Sequence, residues 1–466
     1  MARFGLCALL ALLAAATLAT AMVEALYAAP VGQLRETGSG WRPCDPNVPQ
    51  WSGYFDIPGK DGDKHYFYWA FGPRNKNPNA PVLLWMTGGP GCSSMLALLV
   101  ENGPCWVNET TGDLDNNKYS WNNEAYVIYV DQPAGVGFSY AEKADYDKDE
   151  MGVSEDMYHF LQAFFTAHKE LRNNEFFVVG ESYGGHYAPA TAHRVNQGNR
   201  NHDGLPIRLA GLAVGNGLTD PYTQYAAYPA LAWDWCQKVL GKPCVSQDAY
   251  GLMQGMVPTC QKSIEVCNSG NNILANASCF IGRLLCNPIV GIYSVTGRNV
   301  YDIRKQCVGT LCYNFEAVDK FMNRQDVQKS LGADARKWNS CNTEVNLMFA
   351  IDWFKNFNYT VPALLADGVR VMVYAGDMDF ICNWIGNKNW TTALHWPGQE
   401  AFNAAADKPF ANPDGSPAGL VRTAAAPSTA AFSFVQVYNA GHMVPMDQPA
   451  AASVMINKFM QNAPFN

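Results

Sequence analysis

At 466 residues, 48% of them hydrophobic, the chain is too long for a minimal domain and has ample apolar material for one large core with an elaboration. Its formal net charge of −8 and the lack of any long Lys/Arg run exclude the concentrated positive surface that a nucleic-acid partner demands, because such binding is driven by displacing counterions from phosphates.

The chain starts "MARFGLCALLALLAAATLATA", with one early cation at Arg3, a Leu/Ala run and a small-residue exit at Ala19, Thr20 and Ala21. This predicts a cleaved secretory leader over residues 1–21, the run being too short and too weakly flanked for a membrane anchor. No later run stays apolar for the roughly 20 residues of a membrane span, so a soluble protein without an anchor is expected. Next come short, nearly continuous apolar runs: "PVLLWM" from Pro81, "AYVIYVDQP" from Ala125, "FFVVG" from Phe176, "LAGLAVGNG" from Leu209, "VRVMVYAGD" from Val369 and "FSFVQVYNAGH" from Phe432. Such runs read as strands buried on both faces, the mark of a mostly parallel sheet with helices on either side.

Between the second and third runs, Val153, Met157, Phe160, Leu161, Phe164, Phe165 and Leu171 recur at helical spacing, which predicts an amphipathic crossover helix. Strand, helix, strand repetition argues an α/β class with a doubly wound sheet, whose ligand crevice lies beyond the carboxyl ends of the strands. After "GNGLTDP" at Gly215 to Pro221 the rhythm stops, and it resumes only past Cys341. Residues 216–345 are therefore expected to form a cap inserted over the crevice, with 22–215 and 346–466 as the two parts of the core. "AAADKPFANPDGSPAG" near Ala404 is expected to be an exposed loop.

Of 14 cysteines, Cys7 lies in the leader. The 13 that remain are an odd number, so oxidation along a secretory route leaves at least one free. Most cluster between Cys236 and Cys312, where the hydrophobic pattern is poor, and disulfides are expected to replace a thick core there. Without a CxxC pair or nearby histidines no zinc site is expected, nor any other metal. Asn-x-Ser/Thr acceptors at Asn108, Asn276, Asn358 and Asn389 suit the same route.

In "FVVGESYGGHYAP", Gly180, Glu181, Ser182, Tyr183 and Gly184 follow a strand and precede a helix-compatible segment. In that context GxSxG places a serine hydroxyl at the tip of a tight turn, with the next amide, Tyr183 N–H, aimed where an oxyanion would form. The competing reading is a structural turn. A serine nucleophile needs a base held by a third group, in the order Ser, Asp or Glu, His. His442 stands just past a strand end, and Asp377 and Asp379 end another strand; spacing leaves either aspartate open. Gly88 and Gly89 in "WMTGGPGCSS" supply a second exposed backbone donor.

The segments "TGGPGCSS", "ENGPC", "WNNEAYVIYVDQPAGVGFSY", "GESYGGHYAP", "GNGLTDP", "GRNVYDIRKQC", "YAGDMDFICNW" and "AGHMVPMDQP" together resemble the serine carboxypeptidases of the α/β-hydrolase fold, from about residue 41 to the C terminus. The resemblance implies that Asp379 rather than Asp377 completes the triad, that Gly89 and Tyr183 supply the oxyanion amides, and that a Glu181–Glu101 carboxyl pair receives a substrate's C-terminal carboxylate, with Gly88 and Met443 lining the site. Two adjacent carboxyls with a third approaching must retain a proton, so activity on peptides with a free C terminus is expected to favour acid, in a lysosome- or vacuole-like compartment or after secretion. Thr87 stands where the family usually has an Asn that helps to hold that carboxylate.

The family also implies the pairs Cys92–Cys341, Cys260–Cys286, Cys267–Cys279, Cys307–Cys312 and Cys236–Cys244, leaving Cys44 to pair with Cys105 and Cys382 as a free thiol near the site. A monomer or homodimer that needs no cofactor is expected. Acyl transfer to an alcohol is the alternative within the family, and a non-catalytic binding or protective role is the alternative outside enzymology.

Overall fold

The computed structural model describes residues 31–37, 42–270, 272–309 and 311–465; the expected leader at 1–21 lies outside the described residues. The six apolar runs form six adjacent parallel strands: β4 (Val82–Thr87), β7 (Tyr126–Val130), β8 (Phe176–Glu181), β9 (Leu209–Gly215), β10 (Arg370–Gly376) and β13 (Phe432–Val437). Side chains of a strand alternate between faces, and here both faces are covered. In β4, Val82, Leu84 and Met86 enter one hydrophobic cluster while Leu83 and Trp85 enter the other. In β10, Val371 and Val373 part from Met372 and Tyr374 in the same way. This double burial is why the runs carry no polar alternation.

The sheet is more mixed than the runs suggest. The described residues form an 11-stranded sheet in the order β1-β2-β3-β7-β4-β8-β9-β10-β13-β12-β11. β1 (Gln33–Glu36), β2 (Gln50–Pro58) and β3 (Asp63–Phe71) extend one side antiparallel. β11 (Lys408–Ala411) and β12 (Pro417–Ala424) extend the other. The segment read as an exposed loop near Ala404 is thus partly an edge hairpin. Its outermost strand exposes Lys408, Pro409 and Ala411, so its composition reads as a loop even though β12 pairs with β13 from Gly419↔Val437 to Ala424↔Phe432. A small ribbon, β5 (Cys105–Val107) with β6 (Leu114–Asn116), stands apart.

The predicted crossover helix is α1 (Glu150–Ala167), capped by the Asp149 side chain accepting from Gly152 N–H. Its Val153, Met157, Phe160, Leu161 and Phe164 join the cluster on one face of the sheet. Beside it runs α2 (Gly184–Asn201), which starts directly after the turn leaving β8.

Between β9 and β10 the described residues contain no strand. The helices α3 (Gln247–Cys267) and α4 (Ile273–Ser294) form an antiparallel pair joined by Cys260–Cys286 and Cys267–Cys279. By length and composition α4 could cross a membrane, with a mean hydropathy of 1.5, although a third of that window is buried in the protein. The sequence reading missed this because Asn276, Ser278, Arg283 and Asn287 interrupt its linear apolar run. Farther along, Val318, Phe321, Met322, Val327, Leu331 and Trp338 pack into the cluster on the opposite face of the sheet. The remaining disulfides are Cys44–Cys105, Cys92–Cys341, Cys236–Cys244 and Cys307–Cys312, and Cys382 is the free cysteine among the described residues.

The α3–α4 pair buries little besides its cystines, Met253, Ile264, Ile289 and Tyr293. Opening the 26-residue Cys260–Cys286 loop by a Cys260→Ser, Cys286→Ser double substitution is expected to cost about 3 kcal/mol locally. Hydrogen exchange should show faster opening across residues 247–294 with little change in β8.

Candidate active site at the carboxyl ends of the strands

Six strand ends converge above the middle of the sheet, and the turn after β8 is the tightest feature among them. Ser182 has a φ of 62°, a left-handed conformation that non-glycine residues rarely hold and that stores strain at functional turns. Neighbouring backbone locks it in place: Ser182 N–H donates to Gly215 O at 3.2 Å, and Ser182 O accepts from Gly185 N–H and Leu218 N–H at 2.9 Å each. Glycines on either side are obligatory. A Cβ at Gly180 would lie 2.3 Å from Gly184 O, and one at Gly184 would lie 2.5 Å from Met86 O.

The loop after β4 closes over this turn. A Cβ at Gly88 would lie 2.2 Å from Tyr183 N and 2.8 Å from Ser182 Cβ, so the Gly88–Gly89 backbone passes directly beside the serine. Neither Gly89 N–H nor Tyr183 N–H donates within the backbone network of the described residues. Two free amides flanking a serine hydroxyl at a cleft are the arrangement that stabilises a tetrahedral oxyanion.

His442 follows β13 and is 2% exposed. Its N–H donates to Tyr301 O at 2.8 Å, its ring lies 4.9 Å from that of Tyr301, and its Nδ1 is 2.9 Å from Asp379 Oδ2. A proton on Nδ1 shared with that carboxylate leaves Nε2 as the basic nitrogen. Asp379 is fully buried and over-determined: Oδ2 also accepts from Asn216 Nδ2 at 2.8 Å and Cys382 N–H at 3.1 Å, while Oδ1 accepts from Ile381 N–H at 3.1 Å. Asp377 does different work. Its Oδ1 accepts from Asn439 N–H at 2.8 Å and its Oδ2 from Gln436 Nε2 at 3.4 Å, so it braces the turn leading to His442.

Asn216 escaped the sequence reading, although it lies in the conspicuous "GNG". With φ 39°, its N–H donates to Tyr374 O and its Oδ1 accepts from Gly376 N–H, at 2.8 and 3.0 Å. It bridges the ends of β9 and β10 and aims its amide at Asp379.

Beside Ser182, the Glu181 and Glu101 carboxyls are buried close enough to shift one another's protonation, and both residues are 1% exposed. No side chain or amide donates to either Glu101 oxygen or to Glu181 Oε2. Burial raises both carboxyls, Glu101 to about 8 and Glu181 well above the ordinary range, where the neighbouring Glu101 charge raises it further. Such a pair keeps a shared proton.

A cavity of about 290 Å³ is lined by Thr87, Gly88, Gly89, Glu181, Ser182, His442 and Met443, whereas Glu101 does not line it. Its far walls are Leu96, Tyr301, Leu311, Tyr313 and Phe315 on one side and Asn342, Thr343 and Asn346 on the other. Tyr301 lies in the segment "GRNVYDIRKQC", but none of these wall residues was singled out from sequence as a site residue. Tyr301, Tyr313 and Phe315 stack in series at 5.1 and 5.5 Å. Thr87 Oγ1 accepts from Trp85 Nε1 at 2.8 Å, which leaves its own hydroxyl proton free to donate.

Cys382 is buried, with its thiol held above the usual range mainly by burial and secondarily by Asp379; it does not line the cavity. Asn389 is exposed and Asn108 and Asn276 are half-buried. The side-chain amide of Asn358 donates to Asp220 Oδ2 at 3.1 Å. Among the described residues no group of three or more His, Cys, Asp or Glu could hold a metal ion.

The profile of the serine carboxypeptidase family matches residues 42–462. Serine carboxypeptidase-like 49 of Arabidopsis thaliana is 45% identical over 415 residues, covering 88% of this chain and 77% of that protein. Carboxypeptidase Y homolog A of Fusarium vanettenii is 40% identical over 419 residues, covering 89% and 74%. The solved structure of a prohormone-processing carboxypeptidase from Saccharomyces cerevisiae superposes with a TM-score of 0.74 at 26% identity, covering 89% of this chain and 92% of that one.

Replacing Asn216 by Ala removes one donor from Asp379 and the brace between two strand ends. The rate of Ser182 labelling by a fluorophosphonate is expected to fall about tenfold, in line with the loss of a group that orients a catalytic base. Asp377→Asn, which keeps an acceptor for Asn439 N–H, is expected to lower it much less.

Proposed function

The chain belongs to the serine carboxypeptidase family, and from that premise we propose that it releases C-terminal residues from peptides through an acyl-enzyme on Ser182. In this reading His442 Nε2 takes the Ser182 hydroxyl proton as Oγ attacks the last peptide carbonyl. The amides of Gly89 and Tyr183 receive the oxyanion. His442 then protonates the departing amine as the C–N bond breaks, and water, deprotonated by the same imidazole, hydrolyses the ester. Asp379 holds the imidazole and stabilises its charged form. Each proton removed is returned, and no other reactant is consumed.

The observation that carries an exopeptidase, rather than a general esterase, is the Glu101–Glu181 carboxyl contact one residue from the nucleophile. A buried carboxyl that keeps its proton can donate to a substrate carboxylate, whereas two ionised ones would repel it. Thr87, with its oxygen occupied by the Trp85 indole, offers a second donor to the same group. The cystine network supports passage through an oxidising secretory route, and an acidic compartment suits a binding site that works only when protonated.

The pH dependence follows from the direction of the shifts. Both carboxyls are raised, so the pair is protonated in acid and loses its proton as pH rises through the raised range, about 8 for Glu101. KM for a blocked dipeptide acid is therefore expected to rise with pH, while KM for the amide of the same dipeptide stays flat. Superimposable profiles for the two substrates would argue against the carboxylate site, and full activity of Ser182→Ala would argue against the acyl-enzyme.

Thr87→Asn lengthens the donor toward the site. It is expected to lower KM for dipeptide acids by roughly threefold, about the worth of one modest hydrogen bond, with amidase kinetics nearly unchanged. Equal changes on both substrates would remove Thr87 from the carboxylate site.

A further inference from the structure

The Tyr183 side chain does not line the cleft and is 1% exposed, yet it is the most heavily constrained ring near the nucleophile. It stacks on His186 at 4.3 Å and lies against Trp353 at 5.5 Å. Tyr187 and Phe349 meet it edge-on at 5.2 and 5.9 Å. Its hydroxyl donates to Asp352 Oδ2 at 2.9 Å. Asp352 begins a short 3-10 turn, Asp352–Phe354, in the segment returning to β10 from the strandless stretch, and is 5% exposed. Glu150, the first residue of α1, is buried nearby, where the Asp352 charge reaches its carboxyl. One buried carboxyl therefore joins the nucleophile turn to the returning segment, close to the start of the crossover helix.

The direction of the Tyr183 N–H is set by the Ser182–Tyr183 peptide plane, and that plane is held out of its relaxed position by the positive φ of Ser182. A residue held in strain persists only where its surroundings over-determine it. Relaxation of Ser182 would rotate the peptide and swing the N–H away from the cleft, and a clamped ring on the next residue opposes that rotation. We infer that Asp352 is a positioning residue for the oxyanion-binding amide, fixing Tyr183 by its hydroxyl so that the N–H keeps its aim as charge develops on the substrate oxygen.

The electrostatics of the cluster suit this role. Burial raises Asp352 to about 7 and Glu150 well above its usual range, and neither Glu150 oxygen has a hydrogen-bond partner. Asp147, Asp149, Tyr187 and Tyr359 also face the pair, and Lys355 is the nearby cation. In acid both carboxyls are neutral, so an asparagine at 352 preserves the acceptor that Tyr183 uses.

The inference rests on the reading of Tyr183 N–H as an oxyanion donor. It is tested at acid pH by kcat and KM on a blocked dipeptide acid and its amide, and by the Ki of a peptide aldehyde whose hemiacetal on Ser182 mimics the tetrahedral species. Asp352→Ala and Tyr183→Phe are each expected to lower kcat about tenfold on both substrates, with KM within about twofold. The aldehyde should bind about tenfold more weakly. Asp352→Asn should keep kcat within about threefold of the parent, and the Asp352→Ala, Tyr183→Phe double variant should be no slower than the slower single one, since both remove the same hydrogen bond.

The inference is overturned by an unchanged kcat with only a lower melting temperature, by a loss confined to KM for the acid, or by Asp352→Asn as slow as Asp352→Ala. If Asp352→Ala does not fold, Tyr183→Phe, which deletes a single buried oxygen, decides alone. A parent enzyme that hydrolyses neither substrate overturns the underlying reading instead.

Discussion

Three stretches of backbone meet around Ser182 at separations that no side chain would permit, and the rest of the site hangs on that approach. Gly180 faces Gly184 O, Gly184 faces Met86 O, and Gly88 faces Tyr183 N, each within 2.2 to 2.5 Å of where a Cβ would stand. Because β8 and α2 are so close, Ser182 has to take a left-handed φ, which lifts its hydroxyl out of the sheet. Because the β4 loop is pressed against the same turn, the undonated amides of Gly89 and Tyr183 are brought together from different parts of the chain. The neighbouring positions of β4 and β8 in the sheet are thus a precondition of the chemistry, and the two apolar clusters that bury both faces of these strands hold them together.

The centre of the fold was legible because it is buried on both sides. Strands with no solvent face have no polar alternation to obscure them, and all six runs became parallel neighbours. The flanks were harder. β2 includes Gln50, Ser52, Gly53 and Asp56, polar or small although most of the strand is buried, and β11 and β12 include Lys408, Pro409 and Arg422 on a half-exposed edge; strands of such composition share it with loops. Helix α4 hid for a different reason, since its polar residues break the linear run that a span search sees, while its apolar residues still cover much of its length.

The site divided along similar lines. Ser182 and His442 sit in local signatures whose turn chemistry implies their roles, so position in the sequence was informative. The choice between Asp377 and Asp379 is a three-dimensional matter: both end the same strand, both are buried, and only the hydrogen bonds separate a brace for Asn439 from a partner for the imidazole. Asn216 and Asp352 act on residues 163 and 169 positions away, and no spacing rule connects such pairs. The aromatic wall of Tyr301, Tyr313 and Phe315 belongs to a segment with no strand or helix pattern of its own, closed by Cys307–Cys312.

The site and the fold around it make the same demand on protons. Glu101, Glu181, Glu150, Asp352 and Asp131 are all raised by burial, to about 8 for Glu101 and about 7 for Asp352 and Asp131. For a carboxyl raised in the folded state, the native protein holds a proton that the unfolded chain has already released at the same pH. Its stabilising contribution is complete below the unfolded value and is lost as pH climbs toward the folded one. These buried carboxyls around the Ser182 turn therefore favour the native state in acid, the same condition in which the proposed carboxylate site would be protonated. In the proposed mechanism the imidazole pulls the other way, since a base that accepts the serine proton must be neutral. On the proposed function, activity on peptide acids would be bounded by these opposed requirements, with loss of the carboxyl protons setting the limit on the alkaline side.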